Sequence, residues 1–144
     1  MNYTIKTETG HINLSPMAFR RTAEDFLDCY GSFHPTKFSL VPYFLCARAI
    51  ELALKALHLE TRTQLQVKKD FGHDLKTSYD ALPVPNQILS SSEVRVLEQT
   101  SLLYDKKVKA FEYLRPIDAA HAYNEFPVLE DLAQVATKLV SARA

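Results

Sequence analysis

The chain contains little glycine and proline, with only 3 glycines and 7 prolines in 144 residues. Together the two residue types make up roughly 7% of the positions, against a usual share of about 12%. Tight β-turns and phosphate-binding loops depend on glycine because its missing Cβ permits positive φ angles. A hydrophobic content of 47% also excludes a disordered chain. The composition therefore favours a globular all-α domain.

Motifs for metal and hydrolase chemistry are missing as well. The chain has no H-E-x-x-H, no C-x-x-C, no glycine-rich phosphate loop and no G-x-S-x-G element. Its two cysteines, Cys29 and Cys46, are 17 positions apart among apolar neighbours, so we expect buried free thiols rather than a disulfide or a metal pair. We expect neither a bound metal nor a cofactor.

No uninterrupted hydrophobic run is long enough for a membrane span. The longest apolar stretch, residues 40–59, is broken by Arg48, Glu51 and Lys55, whose burial in lipid would be costly. The N-terminus lacks the basic and then apolar pattern of a secretion signal, which predicts a cytoplasmic protein. With 17 basic and 17 acidic residues, net charge zero disfavours nonspecific binding to duplex nucleic acid.

A first helix is predicted to begin at Ser15-Pro16, where an N-cap residue is followed by proline at the first helical position, and to end at Gly31. A second helix is predicted from Ser39 to about Glu60. It is apolar almost all round, and its polar residues are spaced 3, 4, 3 and 4 apart from Arg48 onward, which confines them to one stripe. Such a helix is expected to lie at the centre of the fold.

Shorter elements follow. Residues 64–70 are polar and predict a loop that ends at Gly72, after which Asp74 caps a short helix. Ser90 and Glu93 fit a capping box at the start of a long helix.

The last third of the chain predicts a break at Arg115, because the residue before a proline avoids the α region, and a final helix with Leu129, Leu132 and Leu139 on its apolar face. The sum is one domain over residues 1–144, an antiparallel up-and-down bundle of four to six helices over residues 15–142. Residues 1–14 fit either a short hairpin or arm, or a frayed terminus.

Two segments carry a family resemblance. Ala-Arg-Ala-Ile-Glu-Leu-Ala-Leu-Lys-Ala-Leu at residues 47–57, followed by Gly-His-Asp-Leu at residues 72–75, resembles the signature of HEPN domains, the higher eukaryotes and prokaryotes nucleotide-binding family. Helix number and length agree over about residues 16–142. The resemblance implies a helical bundle that often dimerises, that is sometimes paired with a nucleotidyltransferase, and that in many members is a metal-independent ribonuclease.

The active members look alike in an arginine followed after four to six residues by a histidine, with a tyrosine two positions further in a toxin subgroup. Here five residues separate Arg115 from His121, and Tyr123 holds the third position. His121 would transfer protons, Arg115 would hold the phosphate, and Tyr123 would donate a hydrogen bond or stack on a base. On one continuous helix Arg115 and His121 would diverge, so the site needs Arg115 outside the helix or two chains of a homodimer.

Residues that could contact RNA or a nucleotide are predicted from local positive charge and from a histidine at a helix start. Lys106, Lys107 and Lys109 stand among aromatic residues in a locally basic segment, as binding to single-stranded RNA favours, although a solvated helix face gives the same pattern. His73 beside Asp74 could contact a nucleotide phosphate or bond to neighbouring backbone, and His121 could belong to a local charge network with nearby carboxylates.

These patterns support two functional hypotheses. The first is a HEPN-like module that binds RNA or a nucleotide, paired with a nucleotidyltransferase partner in a toxin–antitoxin or defence system. The alternative is a metal-independent endoribonuclease that uses Arg115 and His121 at a dimer interface. A structural adaptor without a ligand is the third possibility.

Overall fold

The computed structural model describes residues 15–105 and 126–143, and this part of the chain is all-helical. The α-helices in it are α1 (Pro16–Ser32), α2 (Val41–His58), α3 (Gln64–Phe71), α4 (Leu75–Asp80), α5 (Ser91–Asp105) and α6 (Leu129–Ser141). A 3₁₀ turn at Val84–Asn86 separates α4 from α5. The predicted all-α fold class is confirmed. The predicted break at Arg115 and the N-terminal segment 1–14 lie outside the described residues.

Helix α2 is the centre of the bundle, as its nearly uniform apolar sequence predicts. Its alanines and leucines are buried between α1 on one side and α6 and α4 on others, and Ile50 and Leu54 are fully inaccessible to solvent. The core continues into the apolar faces of α5 and α6, through Leu97 and Leu132 among others. The helix begins at Val41, two residues after the predicted Ser39, whose Oγ accepts a hydrogen bond from the Val41 N–H at 3.2 Å.

Helices α1 and α2 are antiparallel, because Phe19 in the first turn of α1 and Leu59 at the end of α2 line the same cavity. Helix α5 is antiparallel to α2 as well. Its penultimate residue, Tyr104, packs near Phe44 at the start of α2, with 6.4 Å between the ring centroids.

The last helix, α6, is antiparallel to its neighbour α5. Lys138, near the end of α6, pairs with Glu93 in the first turn of α5 at 2.7 Å, so these two helices also run in opposite directions. Helices α1, α2, α5 and α6 therefore form an up-and-down antiparallel bundle, as the sequence predicts. The short α3 and α4 lie in the connection between α2 and α5.

Three predicted helix starts are confirmed by their side-chain hydrogen bonds. Ser15 Oγ accepts from the Ala18 N–H at 3.2 Å, and Asp74 Oδ1 accepts from the Thr77 N–H at 3.0 Å. At α5 the capping box is complete. The Ser90 N–H donates to Glu93 Oε1 at 2.9 Å, and the Glu93 N–H donates to Ser90 Oγ at 3.3 Å.

The predicted loop at residues 64–70 is wrong, because this segment is α3. Thr63 and Gln66 form a second capping box, in which Thr63 Oγ1 accepts from the Gln66 N–H and Gln66 Oε1 accepts from the Thr63 N–H. Val67 and Phe71, four residues apart, bury one face of the helix. Two apolar residues and a cap are enough for a short helix that packs on the bundle, even where most side chains are polar.

The cysteine prediction is confirmed for one residue and wrong for the other. Cys46 is a buried free thiol, whereas the free thiol of Cys29 is exposed on α1. Burial raises the pKa of Cys46 to about 12, so this thiol stays protonated and unreactive. In the described ranges, no helix combines the length and the hydropathy that crossing a membrane requires.

Candidate functional site

A buried carboxylate lies at the centre of the candidate site. Glu51 is on the polar stripe of α2, yet only 2% of its side chain is exposed, because the α3–α4 junction and α5 cover this side of the helix. Glu51 and Lys55 are four residues apart on α2, the spacing of an ordinary exposed ion pair on a helix. A buried charge is instead costly unless several partners compensate it, so its partners define the site.

Four side chains surround the Glu51 carboxylate. From its own helix, the Arg48 guanidinium lies 2.6 Å and the Lys55 Nζ 2.9 Å from Oε1. His73 Nδ1 lies 3.0 Å from Oε2 and 3.1 Å from Oε1. The hydroxyl of Tyr104, from α5, completes the set by hydrogen bonding to the carboxylate. We call these five residues the Glu51 cluster.

The electrostatics of the cluster keep Glu51 ionised. Burial by itself would raise the pKa of this carboxyl, but the Tyr104 hydrogen bond, the Lys55 charge and the His73 hydrogen bond together bring the pKa below its ordinary value. Burial and the nearby Glu51 charge raise the pKa of Tyr104, so its hydroxyl keeps its proton and donates a hydrogen bond to the carboxylate. The cluster thus holds one carboxylate between two permanent cations.

The backbone on both sides of His73 fixes its position. Gly72 ends α3 at φ 54° and ψ −120°, a conformation that side chains with a Cβ rarely adopt. Asp74 then caps α4, and its Oδ1 accepts a hydrogen bond from Ser101 Oγ of α5 at 3.2 Å. The imidazole is 59% exposed and points its Nδ1 at Glu51. The hydrogen bond that the structure gives the His73 side chain is thus with Glu51 of α2, 22 residues earlier in the chain.

One cavity opens beside the cluster. It has a volume of about 330 Å³ and is lined by Phe44, Arg48, His73 and Tyr104. Two aromatic rings, a guanidinium and an imidazole thus face the same space, and the His73 ring meets the Tyr104 ring edge-on at 6.0 Å. We call this space the aromatic cavity.

A second cavity, also of about 330 Å³, borders His73 as well. We call it the apolar cavity, because most of its surface is apolar. Its lining comes from α1, α2, α3 and the α3–α4 junction, and consists of Phe19, Lys55, Leu59, Gln64, Val67, Lys68, Gly72 and His73.

The arrangement fits binding of an anion better than metal chemistry. Arginine binds phosphate with several donors at once and keeps its charge at any physiological pH. Residues 15–105 and 126–143 hold no group of three or more histidine, cysteine, aspartate or glutamate side chains that could bind a metal ion.

Of the residues that the sequence predicts for a site, the structure describes His73 and places it in the lining of both cavities. Arg115, His121 and Tyr123, predicted as catalytic, lie outside the described residues, as do the predicted RNA contacts Lys106, Lys107 and Lys109.

Sequence reasoning missed Phe44, Arg48 and Glu51 as site residues, and it considered Tyr104 only as one of the aromatic residues next to the basic segment. The available signal was the charged stripe on a helix that is otherwise buried, since a charge in such a helix needs partners from other elements. No protein-family model, curated protein or solved structure matches this chain.

Proposed function

We propose that this protein is a HEPN-like helical module that binds single-stranded RNA or a nucleotide in the aromatic cavity. The observation that carries the proposal is the meeting of Phe44, Arg48, His73 and Tyr104 around one space of about 330 Å³. Cations next to aromatic rings are the combination that single-stranded nucleic acid requires, because its phosphates need charge and its unpaired bases need a stacking surface.

Arg48 is the proposed phosphate ligand. Its Nη1 is engaged by Glu51, but a guanidinium has five N–H donors, so donors remain for a phosphate. The side chain is 33% exposed, which leaves it accessible from the cavity. In its protonated form, His73 would contribute a second donor through Nε2–H, while its Nδ1–H donates to Glu51.

Phe44 and Tyr104 are the proposed base contacts. Phe44 is half-buried and packs near Tyr104, whose hydroxyl is held by the Glu51 cluster. Because Tyr104 is only 7% exposed, the half-buried Phe44 would carry the stacking, and the fixed Tyr104 ring would contact the base at the cavity wall. The role of Glu51 is to orient Arg48, His73 and Tyr104 together.

The net charge of the site supports binding of an anion. Arg48 and Lys55 carry two positive charges against the single negative charge of Glu51, which leaves the cluster positive even with a neutral His73. One net charge supplies little binding by nonspecific attraction. We therefore expect a ligand that uses stacking and a few directed hydrogen bonds.

The proposed partners rest on the family resemblance of residues 47–57 and 72–75. By that resemblance, the module forms a homodimer and is paired with a nucleotidyltransferase in a toxin–antitoxin or defence system.

Binding of a fluorescently labelled single-stranded RNA octamer, followed by anisotropy, tests the proposal. We expect Arg48→Gln to weaken binding about fivefold, the effect of losing about 1 kcal/mol at a partly exposed charge. The matched control is Arg95→Gln, which removes an exposed charge from α5 away from the cavity. Phe44→Leu should also weaken binding while leaving every charge in place. Equal weakening by Arg95→Gln and Arg48→Gln would contradict the proposed site.

The spacing of Arg115 and His121 favours a second function, a metal-independent endoribonuclease. In EDTA, the wild-type chain would then cleave RNA, and His121→Ala would abolish the cleavage. Cleavage by both proteins, or by neither, would remove this candidate and leave the binding proposal intact.

A further inference from the structure

The apolar cavity differs in chemistry from the aromatic cavity. Phe19, Leu59 and Val67 form apolar walls, contributed by α1, the end of α2 and α3. Its volume of about 330 Å³ lies at the lower end of the range of about 300–1,000 Å³ that small-molecule pockets show. The cavity is therefore large enough for one small ligand with an apolar body.

The cationic groups at this cavity are not equivalent. Lys55 is 18% exposed and already bound to Glu51 at 2.9 Å. Lys68 is exposed, and within residues 15–105 and 126–143 no carboxylate forms an ion pair with it. Lys68 can thus pair with an incoming anion without first giving up a partner.

Helix ends limit the charge that the cavity can accept. Leu59 is the C-cap of α2, and Gly72 is the C-cap of α3. The C-terminal end of a helix carries partial negative charge, which opposes a strongly charged anion such as a polyphosphate. One unpaired lysine beside two such ends fits an anion with a single charge.

We propose that the apolar cavity binds a small amphipathic monoanion, an aliphatic or aromatic carboxylate whose apolar body lies against Phe19, Leu59 and Val67. Its head group pairs with Lys68. This site shares His73 with the aromatic cavity, but its proposed ligand contacts are other residues, and it stands whether or not RNA binds.

Sodium octanoate is a suitable probe, titrated into the ¹⁵N-labelled chain and followed by NMR. We expect saturable shifts of the amides of Leu59, Val67 and Gly72. Octan-1-ol, which has the same chain without the charge, should bind several-fold more weakly. Absence of saturable shifts, or equal binding of the alcohol, would overturn the proposal.

Two neighbouring lysines give a matched pair of variants. Lys68→Gln should weaken octanoate binding about threefold to fivefold, the upper part of the range for one exposed ion pair. Lys69→Gln, on the same helix but outside the cavity lining, should leave the affinity unchanged. Leu59→Trp, which fills the cavity, should abolish the shifts at Val67. Equal weakening by the two lysine variants would show attraction by surface charge alone and contradict the site.

Discussion

At the scale of single residues, Glu51 shows why one buried charge can organise a site. Its carboxylate accepts hydrogen bonds from two residues of its own helix and from two residues that follow much later in the chain. Removing a carboxylate from such a set leaves cations without a counter-charge in a partly desolvated place. Glu51 therefore both stabilises the fold and orients the proposed RNA ligands.

We expect Glu51→Gln to lower the free energy of unfolding by about 1–3 kcal/mol, because the amide keeps the shape but loses the charge that Arg48 and Lys55 require. Urea denaturation measures this change. Glu60→Gln, an exposed residue just beyond the same helix, should change stability by less than about 0.5 kcal/mol. A Glu51→Gln protein as stable as the wild type would contradict the role of the cluster.

His58 makes stability depend on pH. It is buried on α2, stacks on Phe71 with 4.4 Å between ring centroids, and its Nε2 lies 2.7 Å from the Ser78 carbonyl oxygen, to which it donates. Burial is the main cause that lowers the pKa of His58 below 6.5, and the Arg62 charge adds to it, against the opposing effect of the Ser78 hydrogen bond. The folded state consequently favours the neutral imidazole.

Because the unfolded chain takes up this proton near pH 6.5 and the folded chain does so only at lower pH, stability is lost as pH falls through about 6.5. We expect the free energy of unfolding to drop between pH 7.5 and 5.5, and the drop to become smaller in His58→Gln. His34→Gln, in the exposed connection before α2, should show the wild-type drop. A variant at position 58 with an unchanged pH dependence would contradict this assignment.

At the scale of elements, helix starts were predictable where one residue decides the local hydrogen bonding. Ser15, Asp74 and Ser90 have side-chain oxygens that satisfy free N–H groups, and this chemistry is local in sequence. Helix α3 was missed although Thr63 and Gln66 carry the same signal. Most residues of this helix are polar, so the four-residue spacing of Val67 and Phe71 alone does not indicate a helix. Tertiary packing of those two residues makes the segment helical.

Two glycines should respond to alanine in opposite directions. Gly31 lies within α1, and a Cβ there would meet nothing within 4 Å. Gly31→Ala should therefore stabilise the protein by up to about 1 kcal/mol. Gly72 has positive φ, so Gly72→Ala should destabilise it by about 1–3 kcal/mol through backbone strain alone, since the nearest atom is 3.9 Å away. Thermal unfolding of both variants checks the signs, and two changes of the same sign would contradict the backbone assignment at Gly72.

At the scale of the whole molecule, the bundle was predictable and the site was not. The nearly continuous apolar sequence of α2 requires neighbours on all sides, which only a central position supplies. The meeting of Arg48, His73 and Tyr104 depends instead on how α5 and the α3–α4 junction pack against α2. No local pattern encodes that contact.

The predicted homodimer can be tested by measuring the mass of the whole molecule in solution. If two chains form the Arg115 and His121 site, size-exclusion chromatography with light scattering at tens of micromolar should give twice the mass of the 16.4 kDa chain. A monomer under these conditions would contradict the two-chain site, while the aromatic cavity, which one chain forms, would be unaffected.

The central claim is that Phe44, Arg48, His73 and Tyr104 form one binding surface, and NMR mapping with a single-stranded RNA octamer tests it most directly. The account predicts saturable shifts at Phe44, His73 and Tyr104, with none at Gln134 on α6. Saturable shifts confined to other surfaces, or no saturable shift at Phe44, His73 and Tyr104, would contradict this claim.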